Sequence, residues 1–343
     1  MGLPVDCEIH IHNNFTKGKR NLITDVPGVK VGHVTLEDAG KDIHTGVTAI
    51  LPHEGNLFQE KVLAGVSVIN GFGKSAGLVQ VEELGTIEAP ILMTNTFGVG
   101  TGLNGIIKYM LSQNPDIGTT TGTVNCVVTE CNDGALNDIR GMHLREEHVL
   151  DAIETAGEDF AEGAVGGGTG MICMGLKGGI GSASRIIPCD GQDYTLGAIV
   201  MSNFGAKRNL RIDGQRVDTA QQKSGEQSAD KGSIIIVLAT DIPLNERQLR
   251  RVAKRATVGI ARVGSYLGNG SGDIAIAFSN GNRVPHYSDN DILTVKMFHD
   301  SAMDKVFEAT AEVVEEAVIS SLYHGEAMRG IRNNKVHGLR EYL

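Results

Sequence analysis

Short apolar runs rich in β-branched residues alternate along the chain with longer segments whose apolar positions recur three and four apart. The first pattern predicts strands and the second amphipathic helices. The strongest strand signal is residues 233–240 (SIIIVLAT). It follows an almost wholly polar stretch, residues 206–232, in which Leu210, Ile212 and Val217 are the only large aliphatics. The second half of that stretch (VDTAQQKSGEQSADKG) predicts an exposed loop. Beyond the strand, Leu249, Val252, Ala253, Ala256, Ile260 and Val263 mark one face of a helix over residues 243–263. Asn245 and Gln248 fit a capping box at its start, with Asp241 as the rival cap. A second long helix is expected over residues 300–323, stopped by Gly325, and shorter ones over 106–111 and 144–155. Strands are expected at 47–51, 66–69, 89–94, 124–129, 194–201 and 274–278, the last closed by an Asn280-Gly281 turn. Residues 23–34 (ITDVPGVKVGHV) read as two short strands around Pro27-Gly28. Helices alternating with short apolar strands predict an α/β layered fold.

Composition narrows the class. A length of 343 residues allows one large domain or two or three smaller ones, with a sizeable core. The net charge of -10 argues against nucleic acid or an anionic membrane as a partner. Forty-five glycines, roughly 13% against a usual 7% or so, predict many tight turns and close backbone approaches. With no Trp and few aromatics the core must be aliphatic. Five cysteines without a CxxC pair fit neither a disulfide framework nor a zinc site. No apolar run reaches the roughly 18 residues of a membrane span, and the first residues lack the apolar region of a signal peptide, so a cytoplasmic protein is expected.

Several motifs carry chemistry on paper. His10 and His12 would share a strand face, but no carboxylate or Cys partner stands at a ligand spacing, and an exposed polar face explains them. Gly73-Lys74-Ser75 has the tail of a phosphate loop, yet Val68 occupies its first glycine position. Gly100, Gly102 and Gly105 spell GxGxxG between a strand and a helix, and Glu130 lies where a ribose-binding carboxylate would. Against that dinucleotide reading stand the glycine content, the fingerprint's position about 100 residues in, and Asn114-Pro115, which cuts the helix short. Ser233 stands where the polar loop meets the apolar strand. Freed by scission after Gly232, it would carry both a hydroxyl nucleophile and an α-amine of pKa about 7.7–8.0 to serve as base. A plain Gly-Ser turn fits the same residues. In Gly268-Asn-Gly-Ser-Gly-Asp273, Ser271 and Asp273 would face the same way and share a hydrogen bond.

Longer matches bear on these alternatives. The run from Gly232 to Leu244 (GSIIIVLATDIPL) resembles the family of the L-aminopeptidase/D-amidase/D-esterase and the β-peptidyl aminopeptidases. Residues 23–33 resemble the family's opening. Thr94-Asn-Thr96, Val165-Gly-Gly-Gly-Thr-Gly-Met171 and Lys177-Gly-Gly-Ile-Gly181 resemble its internal signatures. The resemblance implies a four-layer α/β/β/α sandwich of the N-terminal-nucleophile hydrolase kind, in one catalytic domain cut by itself into residues 1–232 and 233–343. The strand from Ser233 would then lie in a central sheet, in keeping with its unbroken apolar character.

Carried over by motif, Ser233 is the nucleophile, Ser271 and Asp273 are its accessory serine and carboxylate, and Asn203 donates to the oxyanion. Glu130 recognises the substrate's amino group. The implied activity is aminopeptidase action on short peptides, amides or esters, β-peptides and D-amino acid derivatives included, with an acyltransferase as the alternative. A non-catalytic assembly protein keeping the fold, and the dinucleotide oxidoreductase, remain as rivals. No metal or cofactor is implied; a tetramer of cleaved pairs is. Two positions depart from the family pattern. Asp273 replaces a Glu, shortening the reach by one methylene. Asn132 stands where studied members have a tyrosine beside the oxyanion site, and it can either donate a hydrogen bond there or cap a helix.

Overall fold

The computed structural model describes Ile9 and residues 11–217 and 231–343. In chain order its main strands are β1 (Lys30–Asp38), β2 (Ile43–Leu51), β3 (Glu60–Gly71), β4 (Thr86–Ile87), β5 (Ile91–Asn95) and β6 (Val127–Cys131), then β7 (Gly179–Cys189), β8 (Gln192–Asn203), β9 (Lys231–Thr240) and β10 (Gly270–Pro285). The α-helices are α1 (Leu78–Leu84), α2 (Val99–Gln113), α3 (Glu146–Glu154), α4 (Glu246–Arg262) and α5 (Met303–Tyr323). One mixed sheet has the order β1-β2-β5-β6 and the other β4-β3-β10-β9-β8-β7. Among the described strands, only β5/β6 and β9/β10 are parallel pairs.

Alternation along β9 shows how the layers stack. Ile234, Ile236 and Leu238 enter an apolar cluster with Leu249 and Val252 of α4 and Val313 and Val314 of α5. Ile235, Val237 and Ala239 enter a second cluster with Ile50, Ile91 and Met93 of the facing sheet. A third cluster lies between that sheet and α2 and α3, with Leu92, Val128, Ile106 and Val149. Three apolar interfaces separate four layers, α/β/β/α, and β9 is apolar at every position from Ile234 to Ala239 because it is covered on both faces.

The helix caps follow sequence rules. Asn245 accepts from the Gln248 N–H at 2.9 Å, and Gln248 Oε1 accepts from the Asn245 N–H at 3.2 Å, completing the capping box. Asp241, the rival cap, instead accepts from the Thr195 N–H.

Other expectations change. Residues 23–25 form a 3-10 turn rather than a strand, and only Lys30–Asp38 extends. Asn280-Gly281 does not reverse the chain. It lies in a register irregularity within β10, where Ser279 pairs with Leu63 and Arg283 with Val62. The helix expected at 106–111 runs from Val99 to Gln113 and swallows the GxGxxG glycines. Of the polar stretch 206–232, residues 207–217 fold as a 3-10 turn and a small hairpin, and 218–230 lie outside the described residues.

Candidate active site

β8, β9 and β10 lie side by side, and their ladders fix which residues meet. Ser233 is the register partner of Asn203 on the antiparallel side and of Gly272 on the parallel side. Gly232 is likewise opposite Ser271. Ser233 is 6% exposed, and its Oγ accepts a hydrogen bond from the Gly272 N–H at 3.2 Å. Ser271 and Asp273 are buried, and the Ser271 hydroxyl donates to Asp273 Oδ1 at 2.5 Å, the contact expected from their spacing.

Gly232 has φ +119°, a conformation open to glycine and strained for other residues. Space is equally restrictive, since a Cβ there would stand 1.9 Å from the Asn203 carbonyl oxygen. The peptide preceding Ser233 therefore passes hard against the end of β8 in a shape that an L side chain would forbid.

Asn203 is held by both ends of its amide. Its Oδ1 accepts from the Ile172 N–H at 2.8 Å, and its Nδ2 donates to the Asn132 carbonyl at 3.1 Å. An amide nitrogen has two N–H bonds, so one remains for a further acceptor. Asn132 is exposed, and its Oδ1 accepts from the Gly134 N–H. That side chain ties a turn, and no helix begins there for it to cap.

Glu130 approaches from the other sheet. It is 3% exposed near the end of β6 and accepts from the Lys74 N–H at 2.8 Å and from the Thr96 hydroxyl. The segment after β3 bridges the two sheets. Phe72 N–H donates to the Ser271 carbonyl at 3.3 Å, and a Cβ on Gly73 would stand 3.5 Å from Glu130 Oε1 and 3.8 Å from Gly272 Cα. The site thus lies at one end of the sheet-to-sheet interface. Between its two halves, burial pushes the Cys131 thiol well above its ordinary pKa, with the charges of Glu130 and Asp273 adding to the effect. That thiol is no nucleophile.

Three contributors escaped the sequence reading: the N–H groups of Lys74 and Ile172 and the hydroxyl of Thr96. Lys74 stood in the rejected phosphate-loop tail and Thr96 in a family signature, but no periodicity marks a backbone donor. The dinucleotide reading fails on geometry. Gly102 and Gly105 are inside α2 as packing positions, where Cβ atoms would meet Val128 Cγ1 at 2.9 Å and Val149 Cβ at 2.6 Å. Glu130 meanwhile is engaged by Lys74 and Thr96. His10 lies outside the described residues; His12 is an exposed partner of Asp213.

Residues 21–336 match peptidase family S58. The chain belongs to that family. Beta-peptidyl aminopeptidase BapA of Sphingosinicella microcystinivorans is 37% identical over 345 residues, covering 94% of this chain and 86% of the relative. The crystal structure of the PH0078 protein from Pyrococcus horikoshii OT3 superposes with a TM-score of 0.91 at 54% identity, covering 97% of this chain and 95% of that one. The L-aminopeptidase D-Ala-esterase/amidase of Ochrobactrum anthropi, described as a prototype of the serine aminopeptidases and a variant of the Ntn hydrolase fold, gives 0.90 at 38% identity. It covers 97% of this chain and 94% of its own. The S58 chain described here is accordingly a hydrolase, a self-processing serine aminopeptidase of the N-terminal-nucleophile type.

Proposed function

We propose that the bond this peptidase cuts in itself is Gly232–Ser233, and that Ser233 is then the nucleophile toward substrates. The observation that carries the reading is the register of Ser233, flanked by Asn203 on one strand and by the Ser271-Gly272-Asp273 run on the other. In the precursor the Ser233 hydroxyl attacks the Gly232 carbonyl carbon, and the acyl group shifts from nitrogen to oxygen. Water then hydrolyses the ester, releasing the carboxylate of residues 1–232 and the free amine of Ser233. In the mature enzyme that amine takes the hydroxyl proton as the oxygen attacks substrate, and returns it to the leaving amine. The spare N–H of Asn203 meets the oxyanion, a contact typically worth about 2.7–4 kcal/mol. Ser271, its proton committed to Asp273, offers lone pairs to the Ser233 amine. Glu130 pairs with the substrate's ammonium group, which restricts cleavage to the amino-terminal residue.

Short peptides, amides and esters with a free amine are the substrates of this reading, and the name of the BapA relative supports β-peptides among them. No helix among the described residues is long and apolar enough to cross a membrane. Cys126, Cys131 and Cys189 are buried free thiols, which supports a reducing, cytoplasmic setting. The exposed side chains of Tyr287, Ile292, Val295 and Met297, all in the segment that follows β10 in sequence, support a homo-oligomer, a tetramer of cleaved pairs in this reading.

A denaturing gel tests the central step. Wild-type protein should give two bands in a mass ratio of about 2:1, the smaller beginning at Ser233. Ser233→Ala should run as one band and lack activity. Cleavage or turnover by that variant would remove the mechanism.

A further inference from the structure

Lys177 has no part in the chemistry above, yet it is fully buried. Its Nζ donates to three main-chain carbonyls, those of Gly168 at 3.3 Å, Met171 at 3.0 Å and Gly178 at 2.7 Å. Three acceptors match the three N–H bonds of an ammonium; a neutral amine has two. Burial pulls the ammonium's pKa down to about 7, while the charges of Cys173 and Glu37 pull the other way.

The Met171 carbonyl and the Ile172 N–H belong to one planar peptide unit. That N–H donates to Asn203 Oδ1 at 2.8 Å. The contacts therefore run in series, from ammonium to the Met171 carbonyl, through the peptide to the Ile172 N–H, and on to the Asn203 amide. Each donor in such a chain polarises the next. An amide whose oxygen is pulled in this way carries more positive N–H bonds, and it cannot flip to present its oxygen to an oxyanion.

We propose that Lys177 is a positioning residue for the reaction, fixing and polarising the Asn203 side chain through the Met171–Ile172 peptide. The inference rests on Asn203 being the oxyanion donor. Lys177→Met removes the charge and all three donors; Lys177→Gln removes the charge but keeps two amide N–H donors. Both are compared with wild type on an aminoacyl p-nitroanilide, alone and combined with Asn203→Ala. Each Lys177 variant should lower kcat about tenfold and leave KM within about twofold, because the donor acts on the transition state. In the Asn203→Ala background the same change should cost almost nothing.

Full additivity with Asn203→Ala, or a rise in KM at constant kcat, would overturn the proposal. Failure of both Lys177 variants to fold would assign the ammonium to the fold and overturn it as well. If Asn203→Ala alone leaves kcat unchanged, the oxyanion reading itself falls. If that variant is slow while Lys177→Met is not, only the present inference does.

Discussion

At the scale of single residues, the site is a set of positions at which side chains have little freedom. Gly232 is the sharpest case, with φ +119° and the Asn203 carbonyl where a Cβ would go. A strained non-glycine conformation costs about 1–3 kcal/mol before any clash is counted. Gly232→Ala should therefore move the carbonyl that Ser233 is proposed to attack, leaving mostly unprocessed chain on a denaturing gel. A two-band pattern appearing at the wild-type rate would show that this backbone shape is irrelevant to processing. Sequence alone made the Ser271–Asp273 contact legible, because two residues on an extended strand must face alike. It could not reveal that Glu130 and Asn203 are held by the N–H groups of Lys74 and Ile172, since any residue supplies such a donor. Nor could it tell that Asn132 Oδ1 turns back to Gly134.

At the scale of elements, what the residues declared was mostly local. The β9 run and the α4 capping box could be read directly, since burial on both faces and a pair of side chains three apart leave marks in the sequence. Elements shaped by tertiary contact could not. The glycines of α2 mimic a nucleotide fingerprint because close packing on Val128 and Val149 calls for the same residue as a phosphate turn. Helix α1 buries only Val81 and shows no apolar stripe.

One link between elements has a pH signature. Glu162 accepts from the Ser182 N–H of β7 at 2.6 Å and from the Ser320 hydroxyl of α5 at 2.7 Å, with its side chain 13% exposed. Burial raises its pKa from 4.5 to about 7. The folded state thus holds a proton that the unfolded chain gives up between those values. The resulting stabilisation is complete below about 4.5 and is lost as pH climbs through about 7, at up to about 1.4 kcal/mol per unit. Glu162→Gln cannot lose it, so its thermal midpoint should gain on that of wild type between pH 5 and pH 8. A gap that stays constant across that range would refute the link.

At the scale of the whole molecule, the two predicted products are interleaved. β9 and β10 sit between β3 and β8, so residues after 233 form the middle of a sheet whose flanks come from residues before 232. Helices α4 and α5 close that sheet's outer face over strands of both pieces. After self-cleavage the pieces should co-elute by size exclusion under native conditions and part only in denaturant; separation in mild buffer would contradict the layered arrangement. A nucleophile made in this way needs no docking event, because its neighbours are already in register when its amine is set free. On this reading maturation works as a ratchet within one molecule. Every finished enzyme keeps for life the halves of a single translation product, and a copy born with a damaged half has no means of trading it with a sound neighbour.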